Sequence, residues 1–259
     1  MISLLRSEWY QIRKTMAVKL QFLVILVISL FLGISETGVS YSERIKASGW
    51  DYLLYGGGSL LSSMEDTGLV IILVSLLACW IISSSFETRT IQEAICYGKS
   101  RTKVYLAKMA VYCIVSIITC LIVWSAGSVP VFIKYGIGTH DVVGNLCNWE
   151  YITGMVIASG LAYLSIFVIC GVVAFLTQKT SITMGICIIG ISFGFTVIVS
   201  VLPDSLVKLI TYTPAGLYHN VLKLDVSWDD IFKTGFISII WIIVICAAGL
   251  WKFKKTELK

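Results

Sequence analysis

The chain has 259 residues, of which 57% are hydrophobic and 14% charged, and its formal net charge is +5. Soluble domains carry about 25% charged residues, and a globule of this size keeps a large surface that must face water. The composition therefore excludes an ordinary soluble domain and predicts that the surplus apolar side chains face lipid. The basic residues lie between apolar runs, which favours membrane topology over nucleic-acid binding as the reason for the positive charge.

Residues 1–17 predict an amphipathic helix in front of the first apolar run. Apolar side chains recur there every three or four residues and so share one helical face, while the basic side chains lie off that face. We expect this helix to lie in the cytoplasmic membrane interface, and a short cytoplasmic extension of the first span is the alternative. The apolar face comprises Ile2, Leu5, Trp9, Ile12 and Met16, and the basic side chains are Arg6, Arg13 and Lys14.

Six apolar runs are long enough to cross a bilayer, since about 20 apolar residues span the hydrocarbon core as a helix. Backbone groups in lipid must find hydrogen bonds within the segment, so each run predicts a helix. Pro130 and Pro203 are expected to close the third and fifth runs. The predicted spans are residues 18–35, 67–85, 104–129, 152–177, 181–202 and 231–251.

The orientation of the spans is predicted from the unequal division of Lys and Arg between the two sides. Fourteen of the 20 basic residues lie in or beside the N-terminal segment, the second and fourth connections and the C-terminal tail. The other side has six basic residues against 11 acidic ones. The predicted fold class is therefore an all-α polytopic membrane protein with six transmembrane helices and both termini in the cytoplasm (N-in/C-in). Residues 40–66, with Gly56-Gly57-Gly58, predict a flexible external connection.

The middle of every predicted span lacks Asp, Glu, Lys, Arg and His. Each such residue would cost roughly 2.5–3.5 kcal/mol at a helix centre and is usually kept only for function. This argues against a channel or ion-coupled carrier and against an intramembrane enzyme. Most of the eight cysteines fall inside apolar runs and predict packing residues, and His140 and His219 predict plain external residues.

The second connection, residues 86–103 (FETRTIQEAICYGKSRTK), is the longest cytoplasmic one. Glu87 to Tyr97 predicts a short charged helix that ends at Gly98. By composition alone it is equally a docking element for a soluble partner or an inert connector. Ile91, Ala94 and Ile95 are expected on one side of this helix, with Glu87, Arg89 and Glu93 more exposed.

Residues of this segment and of the start of the third span form a recognisable pattern. They are Phe86-Glu87, Thr90-Ile91, Tyr97-Gly98, Ser100-Arg101, Tyr105 and Lys108. The pattern resembles F-x-x-G-T-I, L-S-Y-G, S-R and Y-x-x-K of ABC-2 type transporter permeases, especially the small Firmicute-like ones. The number of spans, the basic N-terminal helix and the short basic tail extend the resemblance over the whole chain. One departure is Arg89, which stands where the family commonly has glycine and which could alter the start of the short helix and its contact surface.

The resemblance implies a coupling helix within Glu87 to Tyr97 that sits in a groove of a separate ATP-binding subunit. It also implies that the N-terminal helix borders that subunit, and that residues 203–230 contain short re-entrant helices. Because this last stretch is apolar for a solvated loop, dipping into the outer leaflet is reasonable, and a folded external loop is the alternative. The implied contacts are Glu87, Arg89, Ile91, Gln92, Glu93, Ile95 and Tyr97 of the coupling segment, with Leu5, Trp9, Ile12 and Arg13 of the interfacial helix.

The chain contains no Walker A pattern GxxxxGK[ST], so ATP and Mg are expected in the partner subunit and no cofactor in this chain. Six spans are few for a central pathway, which favours a second permease copy as a homodimer or heterodimer. The predicted function is the permease subunit of an ABC exporter in the plasma membrane, with a hydrophobic or amphipathic cargo and an amphipathic peptide favoured. The alternative is a membrane sensor or immunity protein that binds a peptide without transporting it.

Overall fold

The computed structural model describes residues 2–36, 51–138, 144–193, 211–214, 216–223 and 225–255. Within these ranges the chain forms helices and turns and no β-strand. The helices are α1 (Ile2–Lys14), α2 (Met16–Glu36), α3 (Gly56–Glu65), α4 (Thr67–Ala78, continued through Cys79–Ser83 to Ser84–Glu87), α5 (Thr90–Cys96), α6 (Arg101–Tyr135), α7 (Trp149–Thr177), α8 (Thr180–Gly185, continued by Ile186–Phe193) and α9 (Trp228–Lys255). Short 3₁₀ helices add Asp51–Leu54, Gly144–Cys147 and Leu217–Asn220.

Five helices of the described chain, α2, α4, α6, α7 and α9, are long and apolar enough to cross a membrane. The chain is therefore an all-helical, multi-pass membrane protein. These helices coincide with the first, second, third, fourth and sixth predicted runs. The fifth run begins as the shorter apolar helix α8, and residues 194–202 of that run lie outside the described residues.

The third predicted run was expected to close at Pro130, but α6 continues through this proline to Tyr135. A proline removes one backbone donor from a helix and crowds the preceding turn. Membrane helices tolerate this because neighbouring helices re-satisfy the freed backbone group. Here α2 packs closely on that turn, since a Cβ atom added to Gly33 would lie 3.1 Å from Pro130 Cγ. The proline therefore does not mark the end of the helix.

Four segments that are far apart in sequence meet at one end of the helix bundle, which we call the basic end. Lys108 of α6 pairs with Glu8 of α1, and Arg101 donates a hydrogen bond to the Lys254 carbonyl near the end of α9. Thr180, just after the fourth run, donates to Glu87 at the end of α4. The N-terminal helix, the second and fourth connections and the C-terminal tail thus share one end, as the distribution of Lys and Arg predicts.

The connection around Gly56-Gly57-Gly58 is a packed helix and not a flexible loop, so the expectation for these residues was wrong. All three glycines are buried, and α3 packs along α6. The amide of Gly56 donates to the Gly136 carbonyl at 2.8 Å, and a Cβ atom on Gly58 would lie 1.9 Å from the Tyr52 carbonyl oxygen. The glycines therefore allow the backbone of α3 to approach neighbouring backbone closely. The prediction of a flexible connection considered only the tendency of glycine to form turns.

The described part of residues 203–230 is folded into the bundle. Leu217, Val221 and Val226 are fully buried, and the Tyr218 ring stacks on Tyr163 of α7 with centroids 5.4 Å apart. Tyr163 also donates a hydrogen bond to the Met64 carbonyl near the end of α3. Two connections at the end opposite the basic end are therefore anchored on α7. Residues 203–210 lie outside the described residues.

Candidate coupling surface at the basic end

The second connection forms two helical pieces and not the single helix expected over Glu87 to Tyr97. The last turn of α4 ends at Glu87, and α5 begins at Thr90. Arg89 lies between them in the left-handed region, with φ 59°. L-residues other than glycine, Asn and Asp rarely adopt this conformation, which costs about 1–2 kcal/mol. The break thus occurs where the permease pattern commonly has glycine.

Gly98 ends α5, as predicted. Its φ is +82°, its amide donates to the Ile95 carbonyl at 3.0 Å, and the Lys99 amide donates to the Ala94 carbonyl at 3.2 Å. These two bonds form a Schellman motif, which requires the left-handed residue that glycine supplies without steric cost. α5 is consequently fixed at both ends by left-handed residues.

One side of α5 is buried against the bundle, and the other side is exposed. Ile91 is fully buried, and Ala94 and Ile95 pack against the same core. Gln92 is half-buried. Cys96 is exposed, and three further exposed side chains stand four residues apart. They form what we call the coupling stripe, Arg89, Glu93 and Tyr97, of which Tyr97 is 85% exposed.

Glu87 has a partner inside the chain, unlike the coupling stripe. One carboxylate oxygen accepts hydrogen bonds from the Thr180 amide and from the Thr180 hydroxyl, both at 2.9 Å. These two bonds lower the pKa of the Glu87 carboxyl, because they favour its charged form. Glu87 was expected to contact a partner protein; the structure shows that it binds the first residue of α8.

Hydroxyl groups extend this link between α4 and α8 beyond Glu87. The Ser83 hydroxyl lies 2.9 Å from the Thr183 hydroxyl, and Thr183 lies 2.5 Å from the Thr177 hydroxyl. Ser83 belongs to the π-helical turn Cys79–Ser83. Such turns inside helices frequently occur at functional sites. This link is not predictable from local sequence, because Ser83 and Thr183 lie 100 residues apart.

The N-terminal helix is attached to the bundle through a buried ion pair. Lys108 is 2% exposed, and its ammonium group donates to the Glu8 carboxylate at 2.7 Å and to the Ser85 hydroxyl at 3.0 Å. Glu8 is not among the residues predicted from the sequence. Its spacing could have indicated the contact, because Glu8 lies one helical turn from both Leu5 and Ile12, which pack against the core.

The face of α1 that packs overlaps the predicted one but is rotated towards Glu8. Leu5 and Ile12 contact the core, as expected, but Glu8 lies between them and Trp9 is 44% exposed. Arg13 is exposed, beside Trp9 on the outer side of α1. Of the four interfacial residues singled out in the sequence, two therefore bind the bundle and two face outward.

Two aromatic residues of the permease pattern, Phe86 and Tyr105, are buried in a four-ring cluster beneath the coupling surface. The Tyr105 and Phe175 centroids are 4.6 Å apart, and the Phe175 and Phe253 centroids 5.2 Å apart. Phe86 meets both phenylalanines edge-on, at 5.9 and 6.2 Å. These rings join α4, α6, α7 and α9, so Phe86 and Tyr105 support the surface and do not form it.

The described residues contain no group of three His, Cys, Asp or Glu side chains placed to hold a metal ion. No family model matches the chain, and no curated protein matches it significantly. The resemblance to ABC-2 type permeases therefore rests on residues 86–108 and on the pattern of spans.

Proposed function

We propose that this chain is the membrane-spanning subunit of an ATP-driven ABC exporter, energised by a separate ATP-binding subunit. The observation that carries the proposal is the coupling stripe on α5. Glu93 in the helix and Tyr97 at its C-terminal cap are exposed, while the opposite side chain Ile91 is fully buried in the bundle. Such a short helix can be displaced by a partner protein, because its charged and aromatic side chains are accessible while its buried face is attached to the bundle.

The contacts around α5 could transmit such a displacement to the spanning helices. α5 follows α4 after two residues, and the Thr90 hydroxyl donates to the Ser85 carbonyl at 3.0 Å. α4 in turn holds α8 through Glu87 and Ser83. A displacement of α5 would therefore move α4 and α8 together, with the π-helical turn Cys79–Ser83 as the place where α4 can adjust.

The proposal includes six spans with the basic end in the cytoplasm of a plasma membrane. Thr180 lies at the basic end, and Trp228 lies beside Tyr151 at the opposite end, with ring centroids 5.1 Å apart. These two positions at opposite ends of the bundle support a fifth span that begins with α8. The burial of Leu217, Tyr218 and Val221 supports a segment that re-enters the outer leaflet.

The cargo in this proposal is hydrophobic or amphipathic, with an amphipathic peptide favoured, because the predicted spans carry no charge in their middle. A second permease copy, identical or related, would complete the pathway. ATP and Mg would be bound by the partner ATPase. The competing function is a membrane sensor or immunity protein that binds a peptide without an ATPase.

The test is affinity purification of the tagged chain from its native host in mild detergent, with identification of its partners by mass. An ATP-binding subunit recovered at about one copy per permease supports the exporter. Repeated recovery of the folded chain without such a subunit contradicts it and favours the sensor or immunity function. A Glu93→Lys variant provides the specificity control, since it should insert normally and lose the partner.

A further inference from the structure

A groove of about 300 Å³ lies at the basic end between α1, α2 and α6. Its floor is apolar and includes Val18 and Phe22 of α2 and Ile118 of α6. On α6 the floor extends from Val115 to Ile122, seven residues or about 10 Å along a helix. Because α2 and α6 cross the membrane, the floor runs from the membrane surface towards the bilayer interior.

Two cationic side chains, Arg13 of α1 and Lys19 of α2, line the same groove. Both are exposed. The acidic residue of α1, Glu8, pairs with Lys108, and its carboxylate is directed into the bundle and does not line the groove. Arg13 and Lys19 are therefore within 4 Å of no carboxylate in the part of the chain that the structure describes.

Trp9 completes the rim of the groove and is 44% exposed. Tryptophan is enriched at the level of lipid headgroups, where its ring can be apolar on one side and wet on the other. The groove thus combines two cations suited to a phosphate, an aromatic ring suited to the headgroup level and an apolar channel suited to an acyl chain.

We propose that this groove is a binding site for one anionic phospholipid, with the phosphate held by Arg13 and Lys19 and an acyl chain along Val18, Phe22 and Ile118. The charge of the rim selects an anionic headgroup, and the apolar floor excludes a free phosphate or nucleotide as the natural occupant. A bound lipid would touch α1, α2 and α6 at once. It would therefore hold the N-terminal helix, which also carries Glu8, against the bundle.

This inference does not depend on the proposed transport function, because it requires only that the chain lies in a membrane. It also accounts for the outward orientation of Trp9 and Arg13, which the contacts of α1 with the bundle leave unexplained. A protein partner covering Arg13 is the competing occupant, and the experiment below distinguishes it.

The experiment is a lipid titration of the delipidated full-length chain in neutral detergent, followed by native mass spectrometry. Dioleoyl phosphatidylglycerol is expected to bind with one copy per chain, more tightly than dioleoyl phosphatidylcholine. The variant Arg13→Gln/Lys19→Gln is expected to weaken phosphatidylglycerol binding roughly 30-fold, from about 1 kcal/mol for each lost cation. The matched control Lys14→Gln/Lys255→Gln removes two cations outside the groove and is expected to change binding less than about threefold.

A second variant tests the channel for the acyl chain without altering charge. Ile118→Trp should fill the groove and displace the lipid, whereas Ile114→Trp, on an exposed position of α6 outside the groove, should not. Equal affinity for the two phospholipids, equal weakening by both charge variants, or unchanged binding in Ile118→Trp overturns the proposal. Competition by sn-glycerol 3-phosphate at the affinity of the lipid would show that the headgroup alone suffices, and this also overturns it.

Discussion

The ammonium group of Lys108 lies 2.7 Å from the carboxylate of Glu8, and the two side chains are only 3% and 12% exposed. The contact joins residues 100 positions apart and attaches the N-terminal helix to α6. A charge buried to this extent is tolerated only when it is paired and hydrogen-bonded, and the Ser85 hydroxyl supplies a further acceptor. The pair therefore determines where α1 lies on the bundle.

Replacement of Glu8 by Gln is expected to destabilise the protein by about 3–5 kcal/mol, because it leaves the Lys108 ammonium buried without a counter-charge. The double variant Glu8→Leu/Lys108→Met should recover most of that loss, since it removes both charges together. Thermal unfolding in detergent measures both effects. Glu93→Gln, which changes an exposed carboxylate, is the control and should unfold within a few degrees of the parent; no recovery in the double variant would contradict the assigned pairing.

Hydrophobic run length and the positions of Lys and Arg predict the spanning helices and the basic end, because both signals are local in sequence. The burial of Gly56-Gly57-Gly58 and the pairing of Glu8 with Lys108 are long-range facts. Glycine is compatible with a turn and with close helix packing, and only the presence of α6 decides between them. Glu8, the one acidic residue in the sequence of α1, likewise does not reveal from local sequence that Lys108 is its partner. The short helix that ends at Gly98 is predicted from local sequence, but the inward link of Glu87 depends on Thr180, 93 residues away.

The left-handed conformation of Arg89 predicts a stabilising substitution. Arg89→Gly should raise the stability of the protein by roughly 0.5–1 kcal/mol, since glycine adopts φ 59° without the Cβ penalty. Arg89→Ala removes the same charge but keeps the Cβ atom, so it should give no such gain. Gly98→Ala should instead lower the stability of the protein, because it introduces a Cβ atom at φ +82°. Thermal unfolding of the three variants side by side checks the order; equal effects of Gly and Ala at Arg89 would show that strain is absent there.

The hydrogen bonds from Thr180 give the Glu87 link a pH dependence. The pKa of the Glu87 carboxyl is lower in the folded protein than in the unfolded chain. Its contribution to stability is therefore fully present above the pKa of the unfolded chain and is lost as the pH falls through the pKa of the folded protein. Glu87→Gln should reduce the loss of thermal stability between about pH 6 and pH 3 relative to the parent. Glu93→Gln, which removes an exposed carboxylate without touching the Thr180 contact, should follow the parent curve, and identical curves for all three proteins would refute the link.

The exposed coupling stripe should control recovery of the ATP-binding partner without controlling the fold. Tyr97→Ala is expected to weaken partner binding by about 2 kcal/mol, roughly 30-fold, as for an aromatic residue at the centre of an interface. Glu93→Lys should weaken it as well, by charge reversal on the same surface.

Glu150→Lys is the matched control, because Glu150 is also an exposed acid in the first turn of a helix but lies at the opposite end of the bundle. The partner recovered per permease, measured by quantitative mass spectrometry beside a thermal unfolding curve, separates lost docking from lost folding. If Tyr97→Ala and Glu93→Lys retain the partner as fully as Glu150→Lys does, α5 is an inert connector and the exporter needs another docking surface.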